Sequence, residues 1–300
     1  MTGLDRLLRE VHAGNPRSVA RAITLVEDGL EQGTAILASL DRQRLARALV
    51  VGITGPVGAG KSTLTGRLVR FFLDQGERLG IVAVDPSSPF SGGALLGDRV
   101  RMMTQATDDR VLIRSMATRG RLGGLCTAAG AAVRIMAAAG YRLILVETVG
   151  VGQSEWDVAR LADITLVVLA PGFGDDIQAM KAGLLEVADL LVINKADLPG
   201  ARKLLLELQG MAEKDVLETS AVRDEGIGRL GQRILELEQE LRRTNRLEEG
   251  RRQARESEAL DWLLERLREP LARLVREEGA AGCDPRITAE RLLERIGALG

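Results

Sequence analysis

The stretch VVGITGPVGAGKSTLT, from Val50 to Thr65, limits what this chain can fold into more than any other. Its β-branched apolar start reads as a strand, its glycine-rich centre as a turn and its end as the opening of a helix. The turn Gly55-Pro56-Val57-Gly58-Ala59-Gly60-Lys61-Ser62 matches G-x-x-x-x-G-K-[ST], the phosphate-binding loop. Wrapping successive backbone N–H groups around a phosphate needs close approach and unusual φ, which glycine supplies without steric cost. The helix behind it adds the positive end of its dipole. Lys61 is expected to reach the β- and γ-phosphates, and the Ser62 hydroxyl to ligate Mg²⁺, with Thr63 beside it among the nucleotide-binding residues. The competing interpretation is a chance glycine-rich turn before a surface lysine. The strand before it and the helix after it argue for the phosphate site.

The same unit predicts the architecture. Apolar runs recur at Leu49–Ile53, Leu79–Val84, Val111–Ile113, Leu143–Val146, Ile164–Leu169, Leu190–Ile193 and Val216–Leu217. Helical stretches lie between them at Lys61–Asp74, Leu95–Gln105, Gly124–Ala139, Ile177–Glu186 and Ala201–Met211. Continuous apolar strands alternating with helices predict an α/β fold, with a mostly parallel sheet buried on both faces. Functional residues should then gather at the carboxyl ends of the strands. Before the sheet, residues 1–47 read as helices: Leu4 to Val11, then Val19 to Leu30 after Asn15-Pro16, then Ile36 to Leu49. The domain reading is thus 1–47 as a helical extension, 48–230 as the phosphate-loop domain and 231–300 as a helical arm.

Several strand ends carry chemistry. Asp85 follows LGIVAV directly and is well placed for a metal or its waters, a helix cap being the bland alternative. Asp98 and Arg101 follow in the glycine-rich SGGALLGDRVRM, where a solvated loop charge is an equal alternative on spacing alone. Glu147 ends YRLILVE in the Walker B manner, and Gly150 can present an N–H to a γ-phosphate. Glu147 is one methylene longer than the usual Asp, and Gln153 lies further along than the water-positioning glutamine of Ras-like proteins, so the identity of the catalytic group stays open. The segment Gly172 to Asp176, with Asp175, Asp176 and then Lys181, is a candidate switch. Asn194-Lys195-Ala196-Asp197 ends the strand DLLVI as an N-K-x-D element. The Asp197 carboxylate can accept the N1–H and the exocyclic amine of guanine, whereas adenine would leave it unpaired, a discrimination of about 10⁴-fold or more. Asn194 can tie this loop to the phosphate loop. The stretch Glu218-Thr219-Ser220-Ala221, after the last short strand, matches the element whose backbone faces the guanine oxygen. GTP and GDP are the nucleotides expected.

Past Gly228 the character changes. Ile234, Leu237 and Leu241 make one helix face, Arg242 to Glu258 is almost wholly polar, and apolar spacing resumes from Leu260 to Leu274. This reads as one helix with a polar middle, bent or ended at Pro270, that packs as an arm on another subunit with Trp262 as an anchor. A charged helix folded over the core is the alternative. A net charge of −1 gives no reason to expect nucleic acid or an anionic membrane surface. The two distant cysteines, Cys126 and Cys283, form no zinc spacing, and a lone His12 has no partner histidine. A cytoplasmic protein without membrane spans is the expectation.

The strings GPVGAGKST, VAVDPSSPFSGGALLGDR, RSMATRG, ILVETVGVGQSE, DDIQAMKAG and NKAD together resemble the methylmalonyl-CoA mutase-associated GTPases, the MeaB or ArgK-like family. The resemblance covers nearly the whole chain. It implies a G protein of the SIMIBI class, homodimeric through its C-terminal helices. Such a protein binds an adenosylcobalamin-dependent acyl-CoA mutase, gates its cofactor loading and protects or reactivates it. It also implies that Asp85, Asp98 and Glu147 join Ser62 around Mg²⁺. The loops after Asp85, at Glu147 and at Gly172–Lys181 become switches that respond to nucleotide or partner. Two other functions remain in view. One is a kinase acting on an amino acid or a transport protein, for which no acceptor pocket is evident. The other is a metallochaperone, which would need a His/Cys cluster that the chain lacks.

Overall fold

β1 (Leu49–Thr54) is buried at every residue, as expected of a strand with parallel neighbours on both sides and helices on both faces. It pairs in parallel with β4 (Leu143–Thr148), Ile53 opposite Glu147, and with β5 (Ile164–Leu169), Thr54 opposite Val167. β2 (Leu79–Asp85), β3 (Val111–Ala117), β6 (Leu190–Ile193) and β7 (Val216–Glu218) complete a seven-stranded sheet in the order β3-β2-β4-β1-β5-β6-β7. Every pairing between described strands is parallel. The computed structural model describes residues 3–85, 108–117, 124–148, 154–172, 184–210, 214–277 and 284–297. The predicted helix Leu95–Gln105 lies outside them.

The sheet alternates which residues face which layer. Val50, Val82, Val84, Ile144 and Val146 face α6 (Gly124–Ala138). Ala131, Ala132, Ala137 and Ala138 of that helix are nearly inaccessible. Small side chains let α6 lie between the sheet and a further layer made by α1 (Gly3–His12), α2 (Pro16–Glu27) and α3 (Glu31–Ala38). Leu49, Val51 and Ile53 face the other way, onto α5 (Lys61–Asp74) and α10 (Ile227–Arg243), whose Leu64, Leu68, Phe72, Leu230 and Ile234 fill that core. α7 (Ser154–Leu161) precedes β5, α8 (Leu184–Val187) precedes β6, and α9 (Ala201–Gln209) covers β5 and β6 through Leu204, Leu205 and Leu208.

Four expectations need correction. The stretch from Ile36 to Leu49 is not one helix: α3 stops at Ala38 and α4 (Arg42–Arg47) restarts, because the Asp41 carboxylate caps the Gln43 and Arg44 N–H groups. β3 runs on to Ala117, since Arg114 leaves the apolar pattern to pair with Glu27 at 2.6 Å. The polar stretch beyond Ile234 is two helices, α10 and α11 (Arg246–Glu277), separated at Asn245, whose φ of 60° ends the first. Pro270 neither ends nor breaks α11. It removes one N–H, at a cost of about 3 kcal/mol, but it sits on an exposed stretch where water can satisfy the freed carbonyl.

By packing, the chain divides into two compact units, Met1–Ala254 and Arg255–Gly300. In the first, charges in the polar stretch turn inward. Arg251 grips both oxygens of Asp163 at 2.7 Å and donates to the Ala48 carbonyl, while Asp163 accepts the Val50 N–H at 2.8 Å. Arg242 reaches the carbonyls of Ala46 and Arg47 and pairs with the buried Glu238. The second unit holds the end of α11 and α12 (Pro285–Gly297). Its Leu260, Leu263, Leu264 and Leu267 are about half exposed. Among the described residues no helix is long and apolar enough to cross a membrane.

Candidate nucleotide site

The chain leaves β1 through Gly55, whose φ is 135°; a Cβ there would fall 2.1 Å from the Val168 carbonyl oxygen of β5. The loop can turn against its neighbouring strand only with glycine at that position. It re-enters helix at Gly60, φ 89°, where a Cβ would meet the Asn194 amide at 2.4 Å. No side chain caps α5, so its first-turn N–H groups are available to an anion. Lys61 is buried and folds back, its Nζ donating to the carbonyls of Gly55 at 2.8 Å and Pro56 at 3.0 Å. Val57 and Thr63 are exposed on the loop and the helix start.

Across the loop, Ser62 Oγ donates a short hydrogen bond to Glu147 Oε1, joining residues 85 positions apart. Glu147 is the next-to-last residue of β4 and is buried. Beside this pair, Thr148 and Thr54 bring their hydroxyls within 3.4 Å. Among the described residues there is no group of three or more His, Cys, Asp or Glu that could hold a metal. Mg²⁺ does not require one: it keeps several waters and takes one or two protein oxygens plus substrate phosphates. A serine hydroxyl and a buried carboxylate beside a phosphate loop fit that ion.

The other side of the phosphate loop is built from the segments that follow β6 and β7. Asn194 is buried, and its Nδ2 donates to the Ala59 carbonyl at 2.9 Å. Its Oδ1 accepts from Thr219 Oγ1 at 3.2 Å and from the Ala221 N–H at 3.1 Å. One amide therefore joins the phosphate loop to both its own loop and the 219–221 loop. Lys195 takes a left-handed φ of 58°, strain of the kind that clusters at ligand sites. The Ser220 hydroxyl donates to Asp197 Oδ1 at 2.6 Å, and Arg223 lies 3.7 Å from Oδ2. The Ser220 bond, with smaller help from Arg223 and Lys195, holds the Asp197 carboxyl below its usual range despite partial burial.

Lys61, Ser62, Glu147, Asn194, Asp197, Ser220 and Ala221 thus converge at the carboxyl edge of one parallel sheet. Asp85 ends β2, its backbone opposite Ala117. Asp98, Arg101, Gly150, Gln153, Asp175, Asp176 and Lys181 lie outside the described residues. Sequence reasoning missed Arg223 and Arg67, the latter of which donates to the Ala221 carbonyl at 2.8 Å. Nothing in their spacing distinguishes them from ordinary surface polar residues.

The family model described as methylmalonyl Co-A mutase-associated GTPase MeaB matches residues 19–278. A putative GTPase of Pyrococcus abyssi is 45% identical over 267 residues, covering 85% of this chain and 82% of that protein. GTPase ArgK of Escherichia coli is 35% identical over 276 residues, covering 87% and 82%. A solved structure described as LAO/AO transport system kinase superposes with a TM-score of 0.69 at 27% identity, covering 99% of each chain. On the family match, the shared sequence and the site built above, this chain belongs to the methylmalonyl Co-A mutase-associated GTPase MeaB family and is a P-loop GTPase.

Proposed function

We propose that this GTPase is a chaperone for an adenosylcobalamin-dependent acyl-CoA mutase, methylmalonyl-CoA mutase foremost, which it engages in a nucleotide-dependent way to gate cofactor loading and to protect or reactivate the enzyme. The observation that carries the switch half is Asn194, a single side chain joining the phosphate loop to the loop beside Asp197. The family's description supports the mutase half. Asp197 reads guanine. Lys61 and the first-turn amides of α5 hold the β- and γ-phosphates. Ser62 and Glu147, with Asp85 and Asp98, would hold Mg²⁺, which would offset charge on the phosphate oxygens. Water attacks the γ-phosphorus, the bond to the β-γ bridging oxygen breaks, and GDP and phosphate leave. Lys61 and loop amides stabilise the charge that develops. Arg101, Asp175, Asp176 and Lys181 belong to the loops that report nucleotide state to the mutase.

The C-terminal unit serves a homodimer: its half-exposed Leu263, Leu264 and Leu267 supply an apolar row for a second copy. A kinase is the second reading, favoured by the name of the similar solved structure. The deciding experiment follows GTP hydrolysis with and without the mutase from the same organism, with Lys61→Ala as the blank. Acceleration of at least about 10-fold, with phosphate released to water, supports the chaperone. A rate unmoved by the mutase removes that partner, and phosphate found on an amino acid or protein establishes the kinase instead.

A further inference from the structure

The turn that follows Ser220 is closed by its own backbone. Ser220 and Glu225 exchange backbone hydrogen bonds at 3.0 and 3.1 Å, and Asp224 between them takes a left-handed φ of 63°. Arg67, on α5, ties this turn to the helix behind the phosphate loop. Its Nε donates to the Ala221 carbonyl at 2.8 Å, its Nη2 to the Val222 carbonyl at 3.3 Å, and its Nη1 lies 3.7 Å from Asp224 Oδ2. The contact with the exposed Asp224 contributes little in water. The two carbonyls are the specific part, because the planar guanidinium presents its N–H donors in a fixed fork and loses less freedom per bond than a flexible ammonium.

Ala221 is consequently held from both sides, its N–H by Asn194 and its C=O by Arg67. Arg67 lies on the helix whose first turn carries Lys61 and Ser62, about 9 Å further along its axis. One rigid helix therefore sets the phosphate end of the site and also the backbone of the loop beside the base. Ser220 sits next to Ala221 and holds Asp197 through its hydroxyl.

We propose that Arg67 is a positioning residue for base recognition: it fixes the Ser220–Val222 backbone, and through Ser220 the Asp197 carboxylate, so that guanine binds a loop already in place. The proposal rests on Asp197 being the guanine reader. Arg67 does not act on the reacting phosphate, so its loss raises KM rather than lowering kcat.

The test uses the full chain with Arg67→Ala, Arg67→Lys and Asp197→Asn. It measures KM and kcat for GTP, affinity for GDP, and the preference for GTP over ITP, whose base lacks the exocyclic amine. In Arg67→Ala the GTP KM and GDP dissociation constant rise about 5- to 10-fold, the size expected for losing one to two hydrogen bonds that order a binding loop. The kcat changes by less than about 2-fold and the GTP-over-ITP preference narrows. Arg67→Lys recovers less than half of the lost affinity. If Arg67→Ala does not fold, Arg67→Gln, which retains one amide donor, is read in its place and raises KM by a smaller factor. A lowered Tm with unchanged KM and unchanged GTP-over-ITP preference would make Arg67 purely structural and overturn the proposal. If Asp197→Asn loses the preference while Arg67→Ala keeps it, only the role of Arg67 fails. If Asp197→Asn keeps it, the guanine reading itself fails.

Discussion

Asp197 shows how a neighbour alters what a motif residue can do. Its carboxyl is held below the usual carboxylate range chiefly by the Ser220 hydroxyl. A lowered pKa means the charged form persists as pH falls, so recognition that needs the carboxylate is present above that pKa and is lost only below it. The ratio of GDP to IDP affinity, in which phosphate titration cancels, should therefore stay flat down to about pH 4. In Ser220→Ala the ratio should begin to fall at a higher pH; fluorescence titrations from pH 7 to 4 would check this, and identical profiles would count against it. Asp197, Lys61 and Ser62 were legible because their spacing within short motifs is rigid. Arg67 was not, because an arginine on the second turn of an amphipathic helix has no pattern until the helix is docked.

At the element scale, α10 is seated on α5 through a glycine. A Cβ at Gly231 would fall 2.2 Å from Phe71 Cε1, and the Phe71 ring stands edge-on to Phe72 at 5.1 Å. Ala at 231 has the better helix propensity by about 1 kcal/mol, but overpacking costs about 1–3 kcal/mol. The clash should win, and Gly231→Ala should be destabilised in urea denaturation. Gly250, on α11, has open space where a Cβ would be. Only propensity acts there, so Gly250→Ala should be more stable by about 0.5–1 kcal/mol; a loss at that position would contradict the reasoning. Elements buried on both sides, such as β1 and β4, were predicted well because burial imposes one residue class. α4 and the α10–α11 break were not, since a single cap at Asp41 or a single left-handed Asn245 decides them: the apolar pattern runs on across the first, and the polar stretch around the second has no such pattern to interrupt.

Over the whole molecule, charges that look solvated in the sequence hold the first unit together. The side chains of Arg251 and Asp163 are 15% and 4% exposed, and Asp163 also holds the N–H of Val50 in β1. Asp163→Ala would leave a buried cation and a strand N–H without their acceptor, and a loss of about 3 kcal/mol is expected. Equilibrium unfolding would measure it, and a change below about 1 kcal/mol would show that water replaces the carboxylate. In the second unit the half-exposed leucines carry the dimer proposed above. Leu263→Asp places a charge in that apolar row, and sedimentation should then find a monomer with basal GTP hydrolysis retained. An unchanged dimer would move the interface elsewhere.

The sequence by itself determined the parallel sheet, the phosphate loop after β1, the acidic end of β4 and the N-K-x-D element. Each depends on local spacing or on a burial pattern that only one residue class satisfies. Tertiary structure alone decided that Ser62 hydrogen-bonds Glu147, that Asn194 also holds Ala221, that Arg67 grips the far loop, and that Arg251 turns inward to Asp163. Those partners lie from 27 to 154 residues apart in the chain. Their pairing follows from which strand ends and helix faces the parallel topology brings side by side, and no local pattern encodes it.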